Sequence, residues 1–154
     1  MVKNVFKKLG KKQKNNKGFS LVELIVVIAI MAVLVGVLAP QLIKYVEKSR
    51  EATDIQNCDS IASILKSYYS DKEVTGDIVV TLSNSAAPTG DTVALTDAGM
   101  NTTKLKGKYW KTIKMTYSIA DGTVKYVIEP ETGKTPYYEE GGDDDTQLVP
   151  KSAS

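Results

Sequence analysis

The sequence predicts an α+β protein in which a long N-terminal helix, membrane-spanning over its first half, packs its second half on a small antiparallel sheet. Three observations predict this. An apolar run covers residues 19–39, with Glu23 as its only charge. Apolar residues then recur at spacings of three and four as far as Tyr69, the period of an amphipathic helix. Beyond that, short β-branched segments alternate with turn residues, and Asp121-Gly122 stands between the two clearest of them.

The chain begins with a polar leader, residues 1–18, which carries seven lysines and no acid. The net charge of +2 therefore averages two different objects: without those seven lysines the twenty bases fall to thirteen against eighteen acids, about −5 from Phe19 onward. Lysines flanking an apolar segment hold that side in the cytoplasm. The leader is thus a topology signal rather than a nucleic-acid footprint, and the remainder is expected to be translocated. The 21 residues of the run 19–39 are enough to cross ~30 Å of hydrocarbon as a helix. They exceed the apolar core of an ordinary secretory signal, and no polar cleavage region follows them. The transmembrane half is assigned to residues 19–43.

One helix is expected over residues 19–69, about 76 Å at 1.5 Å per residue. Its amphipathic half, residues 44–71, carries a stripe of Ala52, Ile55, Asp59, Ala62, Leu65 and Tyr69. Asp59 breaks the stripe and Cys58 substitutes on nearly the same face, while Ile61, Ile64 and Tyr68 widen it. Lys44, Glu47, Lys48, Arg50, Glu51 and Asp54 are assigned to the other face or the neck. Gly36 and Pro40 interrupt the apolar half. Pro40 has no N–H for the carbonyl four residues back, which is that of Gly36, so both weaknesses fall on one turn.

Residues 72–138 read as an antiparallel-sheet domain. Residues 77–82 form a strand, and a further short strand is expected near 93–95. A hairpin joins 112–120 to 123–130 through a two-residue Asp121-Gly122 turn. That turn opposes Ile119 to Val124, Tyr117 to Tyr126, Met115 to Ile128 and Lys114 to Glu129, with the apolar pairs on one face. Residues 139–154 are read as an acidic loop and a frayed tail, with Pro136, Tyr137 and Tyr138 docking on the domain.

The single cysteine, Cys58, rules out an intrachain disulfide, and the lack of histidine rules out imidazole catalysis and histidine-ligated zinc. No catalytic constellation stands out, so neither an enzyme nor a cofactor is expected. Lys104, Lys106, Lys108 and Lys111, interleaved with Tyr109 and Trp110, have the composition of a nucleic-acid surface. The preferred reading is an exposed sheet edge guarded by lysines. Carboxylates around Gly141-Gly142 offer oxygen ligands to calcium, with Asp143, Asp144 and Asp145 as candidates. A solvated acidic loop is preferred, because the spacing is not that of an EF-hand.

The junction Lys17-Gly18-Phe19-Ser20-Leu21-Val22-Glu23-Leu24 resembles the prepilin leader junction of type IV pilins and their pseudopilin relatives. The resemblance covers about the first 70 residues. It implies a pilin-like fold and a structural subunit, most readily a major pilin, of a type IV pilus used for adhesion, aggregation or twitching motility. The alternative it leaves open is a pseudopilin of a type II secretion or DNA-uptake system. It implies cleavage between Gly18 and Phe19 by a prepilin peptidase, N-methylation of Phe19, and pairing of Glu23 with the amino terminus of a neighbouring subunit. It also implies unwinding around Gly36 and Pro40 in the filament. The implied partners are further copies of the chain in a helical homopolymer, the membrane, and an assembly platform with its ATPase. The expected location is the cytoplasmic membrane with a cytoplasmic N-terminus, then an extracellular pilus.

Overall fold

A computed structural model describes residues 18–152, so the leader residues 1–17 expected to be removed lie outside the described residues. The chain divides into two compact units, Met1–Gln41 and Leu42–Ser154. Helix α1, Leu21–Tyr69, passes through Gly36 and Pro40 and contributes to both.

In the first unit every residue from Leu21 to Gln41 is exposed, as expected for a segment whose natural surroundings are apolar. Among the described residues this helix alone is long and apolar enough to cross a membrane.

The second unit holds the folded core. Its main sheet is antiparallel in the order β2-β1-β3-β4: β1 is Ile78–Ser83, β2 Thr89–Gly90, β3 Trp110–Tyr117 and β4 Val124–Pro130. Alternation places Ile78, Val80 and Leu82 of β1 on the inner face. Ile113, Met115 and Tyr117 of β3 lie opposite them, in the pairs Leu82–Ile113, Val80–Met115 and Ile78–Tyr117. A bulge between Trp110 and Thr112 shifts the alternation, so Trp110 is buried together with Ile113. Cys58, Ile61, Ala62, Leu65 and Tyr69 of α1 complete this core.

Three expectations are corrected here. The hairpin pairs Tyr117 with Val124, Met115 with Tyr126, Ile113 with Ile128 and Thr112 with Glu129, a slip of two residues. The loop is longer than two residues: Ser118 N–H donates to Thr123 O, and Gly122 N–H to Ser118 O, each at 2.9 Å. Asp121 Oδ1 stabilises it by accepting from Thr123 N–H at 3.1 Å and Thr123 Oγ at 2.8 Å. A slip of two keeps every side chain on its face, so the apolar face survives while the partners change.

The second correction is residues 93–95, which belong to a short helix, α2, Val93–Asp97, with Ala94 and Leu95 buried. Asp91 ends the edge pairing by exchanging bonds with Val79: its Oδ2 accepts at 3.0 Å and its N–H donates at 2.8 Å. The chain then turns into a helical hydrogen-bond pattern, Thr96 N–H to Thr92 O at 2.9 Å.

The third is the acidic segment. It forms a second hairpin, β5 (Tyr138–Gly141) with β6 (Gln147–Pro150), around a 3-10 turn at Asp143–Asp145. Glu140 Oε1 accepts the Ile128 N–H of β4 at 2.5 Å, which occupies a donor on that sheet edge.

Candidate functional site: the leader junction and a buried acidic row

Two arrangements of functional groups emerge, one in each unit. In the first, Ser20 is the N-cap of α1. Its Oγ accepts Val22 N–H at 3.4 Å, and Glu23 Oε2 accepts Ser20 N–H at 2.8 Å. This is a capping box, the reciprocal satisfaction of helix-end donors that Ser-x-x-Glu encodes. It explains why the helix starts at Leu21 and not at Phe19, and the Ser20–Glu23 spacing was legible in the sequence. Phe19 is 90% exposed, and nothing described lies within 4 Å of a Cβ added at Gly18. Packing among the described residues therefore does not require glycine at position 18.

The second arrangement was missed from the sequence. Glu47, Glu51 and Asp54, expected on the other face of the helix or in its neck, are buried at 4%, 0% and 0% exposure. They continue the buried stripe without a break: Glu47, Glu51, Asp54, Cys58, Ile61 and Leu65 follow one another at alternating steps of four and three. Asp59, read as a stripe position, is exposed.

The segment that covers the acids is the lysine-rich one. Asp54 accepts Lys106 N–H at 2.8 Å on Oδ1, Gly107 N–H at 2.7 Å on Oδ2, and Trp110 Nε1–H at 3.0 Å. Glu47 Oε1 accepts Lys108 N–H, and its Oε2 accepts from Arg50 at 3.5 Å. The consecutive N–H groups of Lys106, Gly107 and Lys108 thus serve Asp54 and Glu47, the two ends of the acidic row, which satisfies charges that burial alone would penalise severely. Gly107 is required by close approach: a Cβ there would lie 2.7 Å from Trp110 Nε1 and 3.0 Å from Glu51 Cγ. The expected lysine-guarded edge is therefore corrected. Residues 104–109 are a covering loop, and β3, which carries Lys111 and Lys114, lies inside the sheet.

Glu51 is less well served. Its Oε2 accepts Tyr137 N–H at 2.7 Å, while its buried Oε1 has no partner among the described residues. Burial, first, and then Glu47 and Asp54 push its pKa up to about 7, against the lowering effects of the Tyr137 N–H and Lys151. Burial also raises Asp54, opposed by its bonds to Gly107, Lys106 and Trp110. Burial pushes the Cys58 thiol far up, which makes it unreactive.

Asp143, Asp144 and Asp145 are exposed, and Asp144 pairs with Lys125 at 3.2 Å. Among the described residues no three such side chains are gathered to hold a metal ion.

Residues 13–39 match the family described as the prokaryotic N-terminal methylation motif, a stretch that contains Gly18, Phe19 and Glu23. The chain is similar to the type IV major pilin protein PilA of Myxococcus xanthus (strain DK1622), at 32% identity over 62 residues. The aligned stretch spans 40% of this chain and 28% of that relative's length. No solved structure gives a significant match. The methylation motif, the similarity to a major pilin, and the long apolar helix with its small antiparallel sheet together support a type IV pilin.

Proposed function

We propose that this chain is the structural subunit of a type IV pilus, a filament held together by its N-terminal helices and used for adhesion, aggregation or twitching motility. The observation that carries the proposal is the helix surface from Leu21 to Gln41, exposed all round and apolar apart from Glu23 and Gln41. Such a surface fits a bilayer before assembly and a bundle of like helices after it.

The prepilin rests in the cytoplasmic membrane with its lysines inside. A prepilin peptidase cuts between Gly18 and Phe19 and methylates Phe19, and an assembly platform with its ATPase passes the subunit into the filament. Cleavage converts the Phe19 nitrogen to an amine, and Glu23 is the carboxylate within the apolar segment to meet such a cation. A neighbour's amine then competes with the Ser20 N–H for Glu23. A buried ion pair of this kind serves as a register device.

Intact-mass measurement on the protein from its native membrane tests this reading: a chain beginning at methylated Phe19 is expected. Retention of residues 1–18 in the mature protein would reject it. Gly18→Val places a β-branched side chain at the cut and is expected to leave the leader attached. Electron microscopy separates a pilus, with long surface filaments, from a secretion pseudopilus.

A further inference from the structure

The second unit carries opposite charges at the two ends of its sheet. At one end lies a groove of about 460 Å³, whose lining includes Leu42, Val46, Glu47, Arg50, Lys108 and Lys134; Arg50 pairs with Glu47 at 3.5 Å, which leaves the two lysines as its excess charge. Its apolar floor is exposed, with Leu42 at 63% and Val46 at 42%. The Lys134 ammonium lies 5.6 Å from the Tyr109 ring centroid. Tyr109 adjoins Trp110, which pairs with Pro130, the last residue of β4. At the other end of β4, Lys125 pairs with Asp144 in the turn Asp143–Asp145. The five steps from Lys125 to Pro130 separate the two patches by about 17 Å along the strand. Asp143, Asp144 and Asp145 are all exposed there, with Lys125 as the paired cation.

We propose that this groove receives the acidic turn Asp143–Asp145 of a second copy of the chain. The proposal rests on the filament reading and names a contact within it. A basic, partly apolar groove and an acidic tip at opposite ends of one domain are complementary to each other but not to themselves. They make a heterologous, head-to-tail contact, the type that propagates into an open filament when its rotation does not close a ring. The side chains of Lys108 and Lys134 are exposed, and among the described residues the hydrogen bonds of both run through their backbone groups. The charges set direction and register, and the apolar floor contributes area.

Two measurements on the full chain in filament-forming cells test it. Lys108→Glu with Lys134→Glu is expected to lower filament yield roughly tenfold at unchanged subunit level. Adding Asp143→Lys, Asp144→Lys and Asp145→Lys to that variant is expected to restore the yield. Reversed grooves that assemble normally, or no restoration by the second set, would overturn the contact while leaving the filament reading in place. In the second measurement, Lys134→Cys with Asp144→Cys in one chain is expected to give an oxidised ladder of subunits, and neither single variant is. Filaments without a ladder, or a cross-link from position 134 to a different protein, would also overturn it. Absence of filaments from the unmodified chain would reject the filament reading and this contact with it.

Discussion

The backbone N–H of Tyr137 donates to Glu51 Oε2 at 2.7 Å, joining residues 86 positions apart. It ties the C-terminal hairpin region to the helix through a carboxylate that burial holds near neutrality. Tyr109 stacks on Tyr137 at 5.7 Å, and Lys151 N–H bonds Tyr137 O at 2.9 Å, so the loop, the tail and α1 meet at this point.

Glu51 makes stability depend on pH in an unusual direction. Its pKa of about 7 in the fold lies above its unfolded value, so the native state binds the extra proton. Its contribution to stability is fully present below the unfolded pKa and is lost as pH rises through about 7. Asp54 is raised as well and acts in the same sense. Urea unfolding of the Leu42–Ser154 unit is expected to give a higher midpoint at pH 5 than at pH 8. Glu51→Gln keeps an acceptor for Tyr137 and removes the titration, so it should flatten that difference. An equal slope in both proteins would remove Glu51 from the account.

Asp54 is the most heavily bonded of the acids. Asp54→Ala leaves the Lys106, Gly107 and Trp110 donors unpaired, at a cost of about 2–4 kcal/mol. Gly107→Ala should also destabilise by ~1–3 kcal/mol, since the new Cβ meets Trp110 and Glu51. Equilibrium denaturation checks both. Wild-type midpoints would mean that the loop does not cover the acids in solution.

Glu23 has a role that cleavage changes. Glu23→Leu loses the bond to Ser20 N–H, so the first turn of α1 should fray by an amount worth ~1 kcal/mol. The variant should still insert and be cleaved, because it loses only a charge from an apolar segment. It should fail to enter filaments when it is the sole subunit. Normal filament yield from Glu23→Leu would reject its pairing with a neighbour's amine.

Gly36 and Pro40 lie within the continuous α1. Pro40 leaves the Gly36 carbonyl without its helical donor, and glycine adds backbone freedom worth about 1 kcal/mol relative to alanine. An extended stretch around residues 33–40 is expected in the assembled filament, letting it lengthen under load. A filament map with regular α-helix through this turn would refute that. Gly36→Ala with Pro40→Ala should stiffen the filament in pulling measurements.

Local pattern alone determined much of this protein. The apolar run, the helix to Tyr69, the strand after it and the hairpin with its apolar face all follow from periodicity and composition. These features report which faces must leave water, and burial follows side-chain spacing. The Ser20–Glu23 cap belongs with them, since its partners are three residues apart. Tertiary structure decided what local spacing could not. Glu47, Glu51 and Asp54 read as the other face of the helix or its neck until donors 52 to 86 residues away are brought to Asp54 and Glu51. The hairpin slipped by two because an Asp121 side chain reshaped the loop, and residues 104–109 became a cover because buried carboxylates needed their N–H groups. A charge is read as exposed by default, and only the fold supplies the hydrogen bonds that reverse that default.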